Sequence, residues 1–229
     1  MSQKTILITG ANRGIGLELV KCYLNDGWNV HATCRDPGSA TELKALACDE
    51  LAVHALEVTE DDAIFELAHA LKGVPFDILL NNAGVMSKDR PARTVTDRAD
   101  WLHNFNVNSI SPLAVAGAFM ENLKDGGGII ATVSSRMGSN EASPAGGAYA
   151  YRASKAAVNK VMSSLAAEIA EDGVYTILFH PGWVQTDMGG SGADIDAQTS
   201  AAGMKQVLDG FTPEQTGKFF SFDGAPLPW

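Results

Sequence analysis

The chain has 229 residues, of which 45% are hydrophobic, and it carries a formal net charge of -10. This length and apolar content predict one folded domain, 1–229, with a large core, and the apolar runs are too short to cross a bilayer. The acidic charge, without any cluster of Lys and Arg, argues against nucleic acids and anionic membranes as partners.

Cysteine and histidine spacing indicates neither a disulfide framework nor a metal site. The three cysteines form no C-x-x-C pair, and the five histidines show no H-E-x-x-H or similar spacing. The N-terminus lacks the charged, apolar and small-residue regions of a signal peptide. We therefore expect a cytoplasmic protein with reduced thiols and no metal ion.

Strand-like and helix-like segments alternate along the chain. The predicted strands are 4–9, 28–34, 51–56, 76–80, 129–133, 174–180 and 218–222. The predicted helices are 15–26, 38–46, one capped by Thr59, 99–124, 148–171 and 196–209. The alternation predicts right-handed βαβ units in an α/β fold, a doubly wound, Rossmann-type parallel sheet of about seven strands with helices on both faces. Ligands of such sheets bind at the carboxyl ends of the strands.

The first strand ends in a glycine-rich turn, TGANRGIG at 9–16, which opens the first helix. Its glycines let the backbone turn tightly and let a pyrophosphate approach the helix N-terminus, where free N–H groups and the helix dipole attract anions. This strand–turn–helix context predicts a dinucleotide site. The predicted contacts are Gly10, Asn12, Arg13, Gly14, Ile15 and Gly16.

The end of the second strand predicts which dinucleotide binds. An acidic residue there bonds the ribose hydroxyls of NAD, whereas an arginine accommodates the 2′-phosphate of NADP. Cys34 occupies the acidic position and Arg35 follows it, while Arg13 could reach the same phosphate with forked donors. The sequence favours NADP(H). Asp36 leaves NAD as an alternative, if the strand ends one or two residues later.

The stretch 149–157, YAYRASKAA, offers two tyrosines for acid-base chemistry. Tyr151 and Lys155 are four residues apart and share a helix face, whereas Tyr149 and Lys155 are six apart and do not. A phenol has a pKa near ~10, and a nearby ammonium favours the phenolate and lowers that value. Tyr151 is therefore the predicted proton donor and acceptor.

Several motifs together resemble the short-chain dehydrogenase/reductase family. They are the glycine turn, NNAG at 81–84 and the Tyr-x-x-x-Lys pattern of Tyr151 and Lys155. The strings HPGWVQTDMGG and FFSFDGAPLPW are similar to the sniffer-like or C-factor-like branch of the family. The resemblance implies an NADP(H)-dependent enzyme that interconverts a carbonyl compound and an alcohol, and a homodimer or tetramer paired through two long helices.

The resemblance also implies individual roles. Ser135, matched on SSxxG, would hold the substrate oxygen, with Ser134 as an alternative. Asn108 would support the proton path, through either a functional kink or a bound water that links Lys155 to solvent. Lys155 would also bond the nicotinamide ribose. Further cofactor contacts would be Glu57, Val58, Asn82, Ala83, Gly84, Tyr151, Pro181, Gly182, Val184 and Thr186. The cofactor half would be about 1–85 and the catalytic half about 86–229.

The substrate end is less specified. We expect 138–147 to be a surface loop containing Pro144 and expect 188–195 to be mobile. Met137, Trp183 and Met188 could line an apolar pocket for a bulky aldehyde or ketone. Two rival functions are an epimerase or dehydratase of the extended branch, for which the chain has no room for a sugar-nucleotide domain, and a regulatory protein that senses NADP(H) without turnover.

Overall fold

The predicted α/β fold is confirmed. The structure, a computed structural model, describes residues 3–87, 96–143 and 145–229. Within them, seven parallel strands form one sheet in the order β3-β2-β1-β4-β5-β6-β7. The strands are β1 Thr5–Ile8, β2 Asn29–Cys34, β3 Leu51–Ala55, β4 Ile78–Asn81, β5 Ile129–Val133, β6 Tyr175–His180 and β7 Lys218–Ser221.

Helices connect the strands on both faces of the sheet. They are α1 Gly14–Asn25, α2 Thr41–Lys44, α3 Asp61–Ala70, α4 Arg98–Phe105, α5 Ser111–Ala118, α6 Met120–Gly126, α7 Tyr149–Ile169 and α8 Ala197–Asp209. Short 3-10 turns cover Arg136–Gly138, Ala170–Asp172 and Pro213–Gln215, and a π-helical turn, Asn106–Ile110, joins α4 to α5. The helix predicted over 99–124 is therefore an interrupted run.

The start of α3 differs from the sequence prediction. Glu60, with extended backbone, is the residue before the helix, and it makes no side-chain cap bond. Thr59 does not cap the helix. Its N–H and hydroxyl groups both donate to Glu57 Oε1, at 3.2 and 2.9 Å. The carboxylate two residues upstream thus competes successfully for the donors of Thr59.

The core has two layers, one on each face of the sheet. Ile6 and Ile8 of β1 pack in the layer that contains α1 and α8, whereas Leu7 packs in the layer that contains α3, α5 and α7. All three side chains are fully buried. Because both faces are covered, the central strands β1 and β4 carry consecutive apolar residues, at 6–8 and 78–80, instead of alternating with polar residues.

The segment after β7 folds back along the outer edge of that strand. Ser221 N–H donates to Ala225 O and Leu227 N–H donates to Phe219 O, each at 2.8 Å. The Trp229 ring stacks on Phe219 with centroids 5.7 Å apart. We call residues 222–229 the C-terminal segment. No helix in the described part of the chain is both long and apolar enough to span a membrane.

Candidate active site

A cleft of about 480 Å³ opens at the carboxyl ends of the strands. It is lined by every predicted cofactor residue except Gly182 and Val184. Val184 is buried and forms a β-bridge with Ile195. Gly182 lies close to Ile195 and Phe222, where a Cβ atom would meet the Ile195 Cδ1 atom at 2.6 Å. These two residues support the loop after β6 instead of contacting the cleft.

Eight cleft residues were not singled out from the sequence. They are Glu42, Leu56, Val85, His103, Val107, Val133, Gln185 and Asp187. Leu56 and Asp187 adjoin predicted contacts in the chain, so a wider window around each motif would have found them. His103 lies one helical turn before Val107, which also lines the cleft. Glu42 carries no signal in the sequence because only the short helix α2 brings it to the cleft.

The glycine turn fits a phosphate group. Gly10 and Gly14 have φ values of 64° and 53°, which favour glycine. A Cβ at Gly10 would lie 2.9 Å from Ala83 Cα, so the turn and the end of β4 are in close contact. Helix α1 begins at Gly14 with no side-chain cap bond from Arg13. Its first N–H groups can therefore bind phosphate oxygens.

Hydrogen bonds lock the glycine turn to the segment after β4. Asn82 Nδ2 donates to Thr9 O and Gly10 O, both at 2.9 Å. Thr9 Oγ1 accepts from the N–H groups of Asn82 and Ala83, both at 3.1 Å. The two strand ends that would hold a dinucleotide are thus joined to each other by four hydrogen bonds.

The side chains at the end of β2 favour a 2′-phosphate over free ribose hydroxyls. Arg35 is exposed and lines the cleft, as does Arg13. Asp36 is not among the lining residues, and its carboxylate accepts the Gly38 N–H at 2.9 Å. Hydrogen bonds from Ser39 and Gly38 lower the pKa of Asp36. This carboxylate is occupied by its own turn, which argues against the NAD alternative.

Tyr151 and Ser135 hydrogen-bond to each other through their side chains. Burial raises the pKa of Tyr151, and the bond to Ser135 opposes that shift. Lys155 was expected from the sequence to lower the pKa of Tyr151. In the structure Lys155 Nζ lies 5.8 Å from the Tyr151 ring centroid and donates to Val133 O at 2.8 Å. Burial lowers the pKa of Lys155 to about 8.

Ser134 and Ser135 make different contacts in the structure, and so do Tyr149 and Tyr151. Ser134 lines the cleft, but its hydroxyl hydrogen-bonds the Asn159 side chain. Ser135 is not among the residues that line the cleft, but its side chain bonds Tyr151 and accepts the Met137 N–H at 3.1 Å. Tyr149 is 42% exposed and does not line the cleft, whereas Tyr151 is 8% exposed and does. These contacts support Ser135 and Tyr151.

Asn108 lies in the π-helical turn, in agreement with the expected kink. It is buried, and its side chain exchanges two hydrogen bonds with the Val85 backbone: Oδ1 accepts from N–H at 2.9 Å and Nδ2 donates to O at 2.8 Å. Nδ2 also donates to Ser154 Oγ at 3.0 Å. Asn108 therefore ties the segment after β4 to α7 beside the predicted catalytic residues.

The predicted surface loop, 138–147, begins inside the protein and reaches the surface at Asn140. Gly138 and Ser139 are buried. A Cβ at Gly138 would meet the Lys155 carbonyl carbon at 2.6 Å, so the loop begins in direct contact with α7. Arg152 Nη1 donates to Ser143 O at 3.1 Å and anchors the middle of the loop. Pro144 lies outside the described residues.

Of the three predicted substrate residues, Met188 lines the cleft, whereas Met137 and Trp183 do not. Met188 is 42% exposed, Trp183 is 52% exposed, and Met137 is half-buried. Trp183 Nε1 donates to Gly189 O at 2.9 Å. Across residues 3–87, 96–143 and 145–229, no three His, Cys, Asp or Glu side chains are grouped so that they could hold a metal ion.

The sequence model of the short chain dehydrogenase family matches residues 4–195. The chain belongs to the short-chain dehydrogenase/reductase family. Among family relatives, it is 46% identical to the C-signal protein of Myxococcus xanthus over 156 residues, which are 68% of this chain and 93% of that one.

Two solved structures of the family extend the likeness to the whole chain. The carbonyl reductase Sniffer of D. melanogaster is 33% identical, with a TM-score of 0.94 and complete coverage of both chains. An NADPH-bound carbonyl reductase from chicken fatty liver is 32% identical, with a TM-score of 0.91 and complete coverage of both chains. The expected sniffer-like branch of the family is confirmed.

Proposed function

We propose that the chain is an NADP(H)-dependent oxidoreductase that interconverts an aldehyde or ketone and an alcohol, with Tyr151 as the acid-base residue. Membership in the family and the NADPH carried by a structural neighbour support the cofactor. The hydrogen-bonded pair of Tyr151 and Ser135, with the buried Lys155 behind it, carries the proposal.

The cleft residues fit this cofactor. The N-terminus of α1 would bind the pyrophosphate, because its first N–H groups have no side-chain cap. Arg35 would bind the 2′-phosphate, since it is exposed and makes no ion pair with any other described residue. A Cβ at Gly84 would lie 3.3 Å from Asn108 Oδ1 and 3.6 Å from Lys155 Nζ, so the backbone of Gly84 lies close to both predicted catalytic side chains.

The protein's own groups would handle the proton. When bound, the nicotinamide supplies or accepts the hydride at the carbonyl carbon. In the reduction direction Tyr151 would donate its phenolic proton to the oxygen that becomes the alcohol, and Ser135 would hold that oxygen with a hydrogen bond. Lys155, charged below its pKa of about 8, would stabilise the phenolate that remains.

Asn108 would act through the backbone. Its two bonds to Val85 fix the segment that follows Gly84, next to Lys155. The apolar side chains of Met137, Trp183 and Met188 suit a bulky aromatic or aliphatic carbonyl compound, which would exclude water from the reacting carbon. The cytoplasmic location and the homodimer or tetramer stay predictions.

The test compares two tyrosines two residues apart. Tyr151→Phe should bind NADPH as the wild type does but lose about 100-fold or more in kcat, because the phenolic proton is missing. Tyr149→Phe is the matched control and should retain activity, since Tyr149 lies outside the cleft. NADPH binding is measured by calorimetry and turnover by NADPH absorbance with a panel of apolar aldehydes and ketones.

Either of two results would change the proposal. An undiminished kcat in Tyr151→Phe would remove Tyr151 from the mechanism. Tight NADPH binding without turnover on any carbonyl compound of the panel would favour the NADP(H)-sensing alternative.

A further inference from the structure

The loop after β6 carries a carboxylate that contacts the glycine turn. Asp187 Oδ2 accepts a hydrogen bond from Arg13 Nη1 at 2.6 Å, and both side chains line the cleft. Beside this pair, Thr186 lies against Gly14, where a Cβ atom would come 3.2 Å from Thr186 Cγ2. The loop therefore touches the dinucleotide turn at two adjacent points.

Asp187 is part of a loop that is held by hydrogen bonds between its own residues. Gly189 N–H donates to Thr186 Oγ1 at 3.1 Å, and Gly190 N–H donates to Thr186 O at 2.8 Å. Trp183 Nε1 donates to Gly189 O at 2.9 Å. These bonds link the predicted substrate residue Trp183 to the segment that carries Asp187. A change in the position of Asp187 would therefore reach Trp183 through these bonds.

Asp187 pairs with the Arg13 guanidinium, a group that would also bind the cofactor. Arg13 was predicted from the sequence to bind the 2′-phosphate together with Arg35. A phosphate monoester carries a charge of about −1.5 to −2 near neutral pH and has three acceptor oxygens, whereas a carboxylate carries a single charge. The Arg13 and Asp187 side chains are 65% and 78% exposed, so their ion pair is weak and easily exchanged.

We propose that Asp187 is a specificity-determining residue that competes with the 2′-phosphate of NADP(H) for Arg13. Binding of the phosphate releases Asp187, and with it the loop 183–195, from the glycine turn. The pair thus links recognition of the phosphorylated cofactor to the loop at the substrate end. The inference rests on the proposed function only in requiring a cofactor with a 2′-phosphate.

The first experiment measures selectivity for the 2′-phosphate without any turnover. Adenosine 2′,5′-bisphosphate and 5′-AMP are titrated separately by calorimetry, and the ratio of their affinities is compared between variants. Asp187→Asn should raise this ratio about two- to fivefold, the range for an exposed ion pair. Asp194→Asn removes the same charge from an exposed residue that does not line the cleft, and it should leave the ratio unchanged.

A double-mutant cycle tests whether Asp187 acts on the selectivity through Arg13. Arg13→Ala should lower the ratio, and adding Asp187→Asn to it should produce no further change. The inference is overturned if Asp187→Asn leaves the ratio unchanged or lowers it, or if its gain persists in the Arg13→Ala background. Thermal unfolding of each variant checks that the fold is retained.

Hydrogen exchange tests the release of the loop. In the wild type, amides of residues 183–195 should exchange faster with saturating 2′,5′-bisphosphate than with saturating 5′-AMP. Equal exchange with both nucleotides would refute the link to the loop. Failure of both nucleotides to bind would instead overturn the proposed cofactor site and this inference together, whereas binding that is independent of Asp187 would overturn the inference alone.

Discussion

The contact between Gly138 and α7 is a direct link between the loop that follows Ser135 and the helix that carries Tyr151. In Gly138→Ala, the new Cβ would lie 2.6 Å from the Lys155 carbonyl carbon and 2.8 Å from the Ala156 nitrogen. Ordinary contacts begin at 3.4 Å, so the turn 136–138 has to move by about 0.8 Å. The helix has 21 residues and its backbone is hydrogen-bonded throughout, so the turn should move instead.

This movement should affect both stability and turnover. Overpacking of this kind costs about 1–3 kcal/mol of unfolding free energy. A displacement of about 1 Å in a catalytic group can cost about 100-fold in rate, so we expect kcat to fall at least about tenfold. The affinity for NADPH should change little, because the glycine turn is not touched.

A second glycine of the same loop provides the control. In Gly146→Ala, the Cβ would meet only the Tyr149 hydroxyl, at 3.9 Å, among the described residues. Urea denaturation gives the unfolding free energy and NADPH absorbance gives kcat. If Gly138→Ala matches Gly146→Ala in both quantities, then the loop tolerates the displacement and Gly138 does not position Ser135.

Two further predictions concern the cofactor end and the buried lysine. Arg35→Ala should weaken NADPH about tenfold and leave NADH unchanged, whereas Asp36→Asn should affect neither; calorimetry that finds NADH weakened in Asp36→Asn would restore the NAD alternative. Burial lowers the pKa of Lys155 from 10.5 to about 8, so between these pH values the unfolded chain binds a proton that the folded chain does not. As the pH is raised from 8 to 10.5, the unfolding free energy of the wild type should therefore rise relative to that of Lys155→Met, by up to about 3 kcal/mol. A constant difference in urea titrations from pH 8 to 10.5 would contradict the shift.

The fold and much of the candidate site could be predicted because they depend on short-range patterns. The β-branched and apolar strands reveal the parallel sheet, since such strands are buried on both faces. The glycine turn could be recognised in the sequence because Gly10 and Gly14, which have positive φ values, lie within a few residues of a strand end. The separation of Tyr151 from Lys155 is likewise a property of a single helix.

What the sequence could not predict depends on contacts between distant segments. Nothing near Gly138 reveals that it packs on α7, because the partner atoms lie on Lys155 and Ala156. The Arg13–Asp187 pair joins residues 174 positions apart. The positive φ of 47° at Ala148, a conformation unfavourable for a residue with a Cβ, is imposed by the surrounding loop and helix and not by local propensity.

The C-terminal segment has a consequence for how copies of this chain could associate. A sheet edge with unpaired N–H and C=O groups is a template on which another chain can add a strand. Here Ser221 N–H and Phe219 O at the outer edge of β7 are already bonded to Ala225 and Leu227. A continuous sheet running from one subunit into another through β7 is therefore blocked by the protein itself, and an assembly would have to form through other surfaces, such as the faces of its helices.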